Sequence, residues 1–334
     1  MKVWAVSVVG AGRVEVIERP GRQPLESDRV LIAPLAVGLC GTDLELINGT
    51  MVYLRTGLAK LPRTPGHEWV GAVVEVGSGV AGFSVGDVVV GECSIGCGVC
   101  ERCRKGAYHL CDDRQETGLV GLDGALASRM VAPARSLHRV PSGVALEDAS
   151  LVEPSAVAFR ALTRLQVRAG DRVLVVGVGT IGWLCVALLV RWFHVEVYIL
   201  EPDCWKVERA MEAGGMVAEE DYAFESVVIA SGSPQAIGEG QRRLAPGGRM
   251  VLVGLSGAES TAVNTDAIVV GDQTVIGSLG SPGVWEMVLK VLAEGAFQPS
   301  SIVTHRFGLQ DFHSAISLLS NPNGRVGKIL VIPG

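Results

Sequence analysis

Four cysteines crowded onto one glycine-rich excursion constrain this chain more than any other feature. Cys97, Cys100, Cys103 and Cys111 follow the spacing C-x2-C-x2-C-x7-C within CGVCERCRKGAYHLC. Four thiolates at about 2.3 Å satisfy a tetrahedral Zn2+ completely and leave no coordination position open. Such a centre holds a lobe in shape and does no chemistry. Disulfides are the weaker reading, because cysteines this close in sequence bridge only with strain and nothing here signals an oxidising compartment. Of the other four cysteines, Cys93 is expected to pack beside the lobe, and Cys185 and Cys204 to be core or surface residues. Cys40 belongs to a second constellation.

That constellation lies upstream, with Cys40 in GLCGTDLE and His67-Glu68 in PGHEWVG. A soft thiolate, an imidazole and a carboxylate suit a catalytic zinc that keeps a position for water or substrate. Glu153, in LVEPSAVAFRAL, is a further carboxylate, and Pro154 beside it is a favourable place for a helix to begin.

A third signal is dinucleotide binding. The apolar run from Arg172 leads into Gly177-Val-Gly179-Thr180-Ile181-Gly182 and then a helical stretch. A second strand, Val195–Leu200, ends in an acid, Glu201. Strand, glycine turn, helix, strand and acid together make the fingerprint specific. The glycines admit a pyrophosphate to the helix N-terminus. Glu201 would accept from the ribose hydroxyls and repel a 2'-phosphate, so NAD is expected over NADP. Later strands at Val227–Ala230 and Met250–Val253 continue a doubly wound parallel sheet. At 334 residues, two domains are expected.

Charge and hydropathy exclude other classes. A formal net charge of -6 argues against a nucleic-acid partner. The cluster Arg102, Arg104 and Lys105 reads as solvated loop. Val173–Val190 is uncharged and nearly long enough to span a bilayer, but its glycines fit a buried strand running into a buried helix. Lys2 and the run Val3–Val9 faintly imitate a leader, yet the alternation continuing through Val14–Glu18 reads as opening strands. A cytoplasmic chain with no membrane contact is therefore expected.

With these motifs in place, the sequence resembles the zinc-containing medium-chain dehydrogenase/reductase family. GLCGTD, PGHEWVG, VGDVVV, the cysteine lobe, EPSAVAFRAL, GVGTIG and RLAPGGRMVLVG occur in the family's order. The resemblance implies an α/β chain with a GroES-like β-rich catalytic domain over 1–153 and 282–334, and a Rossmann domain over 154–281. It implies two zinc ions per subunit. Cys40, His67, Glu153 and Glu68 match the catalytic set, with Glu68 either a ligand or exchanging with substrate. Cys97, Cys100, Cys103 and Cys111 match the structural set. Thr42 matches the hydroxyl that relays the alcohol proton.

A glutamate at 153, where many relatives carry cysteine, is similar to the polyol, sorbitol and glucose dehydrogenase branch, which includes scyllo-inosamine dehydrogenases of aminocyclitol pathways. That branch implies oxidation of a secondary hydroxyl on a polyol, sugar or aminocyclitol by an enzyme working as a homodimer or homotetramer. Three alternatives stay open: a threonine-like or simple secondary alcohol dehydrogenase, a zinc-ribbon nucleic-acid binder, and a cofactor-binding chain without catalysis. Two departures from the family stand out. Glu45 occupies the place of a relay histidine and is its candidate replacement. The stretch from Gly215 to Ser226 is too short for one of the usual Rossmann helices.

Overall fold

The computed structural model describes residues 2–20, 24–220, 222–258, 260–322 and 324–334. The chain divides into two compact units: Met1–Glu153 with Ser281–Ala293 and Pro299–Gly334, and Pro154–Gly280 with Glu294–Gln298.

The first unit is built on a seven-stranded sheet. Its central strand, Arg29–Gly38, alternates partly and fully buried residues, as a strand with one face in the core must. It pairs antiparallel with Glu68–Val76 on one side and Lys328–Ile332 on the other, and Met130–Pro133 pairs with its opening residues. Val30, Ile32, Val37, Trp69, Val89 and Leu126 supply much of the core beneath it. The opening run and the alternating segment after it form the hairpin Val3–Gly10 and Arg13–Arg19, so they are strands as expected.

The cysteine excursion forms its own small sheet from Ser94–Ile95, Gln115–Thr117 and Gly121–Leu122. Two contacts anchor it. Tyr108 donates its hydroxyl to Glu92, and Glu92 also faces His138 Nε2 at 3.0 Å. His138 stacks on Trp285 with ring centroids 5.3 Å apart and reaches the exposed Glu286 through Nδ1.

Burial opposes the charge on His138, but the Glu92 contact outweighs it and raises the ring's pKa above the ordinary value. A group raised in the folded state stabilises fully below its unfolded pKa, about 6.5, and loses that contribution as pH climbs through the folded value. His138→Phe, which keeps the stack on Trp285, should therefore cost roughly 1.5 kcal/mol in mildly acidic buffer, the scale of a charge-assisted hydrogen bond. Denaturant unfolding of both proteins across pH checks this: the gap should narrow toward alkaline pH, and a gap independent of pH would contradict it.

The second unit carries a six-stranded parallel sheet. Its order is Met216–Val217, Glu196–Leu200, Arg172–Val176, Phe224–Ile229, Leu244–Leu252 and Thr274–Gly277. This is the doubly wound arrangement in which the first strand lies at the centre and the chain reverses direction beside it. The apolar segment Val173–Val190 resolves into the strand Arg172–Val176 and the buried helix Thr180–Leu188. Among the described residues no helix is long and apolar enough to cross a membrane.

Among the described residues no helix lies between Met216–Val217 and Phe224–Ile229, in keeping with the short connection. Aromatic rings cover the sheet there. Tyr198 stacks on Tyr222 at 5.6 Å and packs against Phe224 at 5.2 Å, while the Arg172 guanidinium lies 4.9 Å over the Tyr222 ring.

Candidate active site

The four lobe cysteines gather with all sulfur atoms within 4.8 Å of one another. Backbone N–H groups donate into the cluster: Cys100 to Cys97 Sγ at 3.4 Å, Cys103 to Cys100 Sγ at 3.5 Å and Cys97 to Cys111 Sγ at 3.5 Å. Donors of this kind stabilise thiolates, and those from Val99 and Cys100 bring Cys97 down to about 6. Sulfurs packed this closely and supplied with N–H donors fit a tetrahedral ion. Gly96 permits the packing, since a Cβ there would collide with Cys103 Sγ and Tyr108. The nearby basic residues are largely neutralised, with Arg102 paired to Asp112 and Lys105 to Glu101.

A second group brings Cys40, His67 and Glu68 together, with one ligand atom from each within 4.8 Å of the others. Local sequence sets this up. Cys40 precedes the helix Gly41–Asn48, and His67 ends the PGH turn that feeds the strand Glu68–Val76. Gly66 takes φ 99°, open to glycine at little cost, and a Cβ there would press on the Leu126 amide at 2.9 Å.

Asp43, which sequence reasoning passed over, ties the two segments together. Fully buried, it accepts N–H bonds from Cys40 at 2.9 Å and Gly66 at 3.3 Å, and it faces His67 Nδ1 at 3.6 Å. Burial disfavours a charged His67, yet the Asp43 carboxylate beside it holds the pKa well above the usual value. A carboxylate beside the ring is the usual support for a metal-ligating histidine. The donor set thus fits a catalytic ion. The signal was present in sequence, as an acid in the first helical turn after Cys40.

Glu153 is not drawn into the donor group. It is buried at the start of the helix Val152–Leu165, and burial, with Glu68 adding to it, raises its pKa to about 7. Thr42 Oγ1 lies 3.8 Å from Cys40 Sγ. Glu45 is exposed on the same helix, and no side-chain hydrogen bond among the described residues joins it to the donor group. Cys93 is buried, as a packed neighbour should be, Cys185 is buried and Cys204 exposed.

In the second unit the glycine loop lines a cavity of about 480 Å³ together with Glu201, Lys206 and Ser231. Gly177 adopts φ 84°, and a Cβ there would lie 2.9 Å from the Ser231 amide. Gly182 packs against the Gly177 carbonyl. A Cβ on Gly179 would meet nothing, so the loop leaves open space in front of the N-terminus of the helix Thr180–Leu188, where Thr180 and Ile181 form the first turn. That is the shape a pyrophosphate needs. Glu201 is held across the loop, its oxygens accepting from Val178 N at 2.9 Å and Asp203 N at 3.2 Å.

Comparison with known proteins adds lineage to this geometry. Residues 26–142 match the alcohol dehydrogenase GroES-like domain. Over 96% of its length the chain is 32% identical to an L-threonine 3-dehydrogenase of Pyrococcus horikoshii, covering 94% of that protein. The chain belongs to the zinc-dependent medium-chain dehydrogenase/reductase family. Over its full length it is 31% identical to a sorbitol dehydrogenase of Halalkalibacterium halodurans, covering 99% of that protein. A solved zinc-binding dehydrogenase of Sinorhizobium meliloti, bound to NADP, superposes with a TM-score of 0.90 at 26% identity, with 100% of both chains covered. The GroES-like domain and the parallel Rossmann sheet are thus both features of this family member.

Proposed function

We propose that this chain is a zinc-dependent, NAD-linked dehydrogenase that oxidises a secondary hydroxyl on a small polyhydroxylated molecule to the ketone. The observation that carries the proposal is the Cys40, His67 and Glu68 donor group backed by a buried carboxylate, on a chain that also carries an open glycine-loop cavity.

Cys40, His67 and Glu68, with the Glu153 carboxyl beside them, would hold the catalytic ion, and Cys97, Cys100, Cys103 and Cys111 the structural one. When bound, zinc supplies Lewis-acid polarisation of the alcohol oxygen and the nicotinamide supplies the hydride acceptor. Asp43 orients His67 and keeps its ring fixed. Thr42 Oγ1 takes the alcohol proton, and Glu45, further along the same helix, stands toward solvent to receive it. Glu153 keeps a protonatable carboxyl beside the site, which suits a hydrophilic substrate better than an apolar wall would. We assign Gly177, Gly179, Gly182 and the first helical turn to the pyrophosphate, Glu201 to the adenosine ribose, and the segment 154–281 to the nucleotide-binding domain.

Cofactor choice has a direct test, because Lys206 lines the same cavity as Glu201 and could partner a 2'-phosphate. Glu201→Ala should lower kcat/KM for NAD about tenfold and leave NADP unchanged or improved, consistent with losing about 1.4 kcal/mol of hydrogen bonding. An unaltered ratio would reduce Glu201 to a residue that only braces the glycine loop.

The edge strand Thr274–Gly277 is largely exposed, and Val269 and Val270 are 79% and 88% exposed nearby. Unpaired strand edges and apolar patches of this kind support pairing with a second copy, so we infer at least a homodimer. We place the enzyme in the cytoplasm. The second reading is an L-threonine-type dehydrogenase, favoured by the 32% identity to that relative. Assaying cyclitols, sugar alcohols, butanediol and threonine for reduced nicotinamide separates the two. Turnover confined to threonine would replace the polyol assignment, and no turnover with any secondary alcohol would refute both.

A further inference from the structure

Lys328 is 2% exposed, an environment in which lysine is rare without a paired charge. Its Nζ contacts Glu68 Oε2, so the buried cation is spent on a residue of the proposed metal site. Strand register explains how residues 260 positions apart meet. Gly38 lies opposite Glu68 in one ladder and opposite Leu330 in the other, so Lys328, two residues before Leu330 on the same face, sits diagonally across Gly38 from Glu68. A Cβ at Gly38 would collide with the Glu68 carboxylate and press on Lys328 Cε at 3.0 Å. The absent side chain is what lets the pair form across the strand.

We propose that Lys328 is a positioning residue for Glu68, holding Oε2 so that the carboxylate meets the catalytic ion through one oxygen and can be exchanged for substrate. The inference rests on the reading of Cys40, His67 and Glu68 as metal ligands. A carboxylate with both oxygens free delivers its full charge and can chelate, which binds an ion more firmly and crowds its open position. An ammonium on one oxygen withdraws part of that charge and blocks the second contact. Lys328 thereby weakens one bond to the ion while Cys40 and His67 keep the ion in place.

The test uses the whole protein with zinc in the four-cysteine lobe and Co2+ in the second site. Lys328→Met keeps the length and apolar stem of the side chain, and the ion itself compensates the Glu68 charge. Release of Co2+ to a chelator should become about tenfold slower, the scale of changes behind a metal ligand. The visible cobalt band should weaken as a second carboxylate oxygen raises the coordination number. Lys328→Arg should release at the parent rate. Lys328→Gln should be intermediate, and it carries the test if the methionine variant does not fold. In a Glu68→Gln background, Lys328→Met should change nothing further.

Unchanged or faster release, or an effect that persists without the Glu68 carboxylate, would overturn the role of Lys328. A parent protein that takes up metal only in the lobe would instead overturn the site reading on which this one depends.

Discussion

Cys40→Ser should lower turnover by about a thousandfold or more while leaving cofactor binding intact. A loss of that size corresponds to roughly 4 kcal/mol of barrier. The thiolate is the softest donor of the Cys40, His67 and Glu68 group and carries one of its two formal negative charges. A serine hydroxyl would stay neutral near pH 7 and bind zinc weakly. The glycine-loop cavity lies in the other compact unit, so nothing in its lining changes. Steady-state kinetics and a fluorescence titration with reduced cofactor check both halves. Turnover within tenfold of the parent would remove Cys40 from the chemistry.

Cys100→Ser should instead act on stability. Cys100 precedes the short helix Glu101–Arg104, accepts from Cys103 N and lies 3.7 Å from Cys111 Sγ. The lobe has few apolar residues of its own to bury: Val99 and Leu110 are exposed, and its sheet strands are two or three residues long. Structure of this kind depends on the metal, and zinc binding is then folding free energy. Losing the ion should cost about 4 kcal/mol, above the usual range for a point change, and lower Tm by roughly 8–16 °C for a domain of this size. The variant should also carry one zinc fewer per chain. A Cys100→Ser protein with unchanged metal content and unchanged Tm would show that the four sulfurs hold no ion.

The two substitutions separate because the two donor groups differ in chemistry. Four sulfurs with N–H donors close a shell, while sulfur, imidazole and carboxylate leave it open.

Much of this was legible in sequence because it is encoded locally. The lobe cysteines sit within fifteen positions, and the glycine loop within six. Spacings that short leave little room for tertiary context to override them. His67 and Glu68 were legible for the same reason, as part of a turn that only glycine at 66 allows. The connection between Gly215 and Ser226 was readable by length alone, and the structure shows what length could not: Tyr198, Tyr222 and Phe224 pack on one another there.

What escaped is what strand pairing brings together. Lys328 meets Glu68 only because Gly38 lies in register between their strands, and no periodicity in either segment points to the other. Asp43 was visible as an acid after Cys40, but its partners, Gly66 and His67, lie more than twenty residues on. Glu153 was placed among the ligands by resemblance; its buried carboxyl lies beside Cys40, His67 and Glu68, outside their tight group, where burial and Glu68 raise its pKa.

Anomalous diffraction at the zinc edge tests the central claim most directly. The account predicts two peaks per chain, one enclosed by Cys97, Cys100, Cys103 and Cys111, the other bounded by Cys40, His67 and Glu68. A single peak, confined to the four sulfurs, would contradict it.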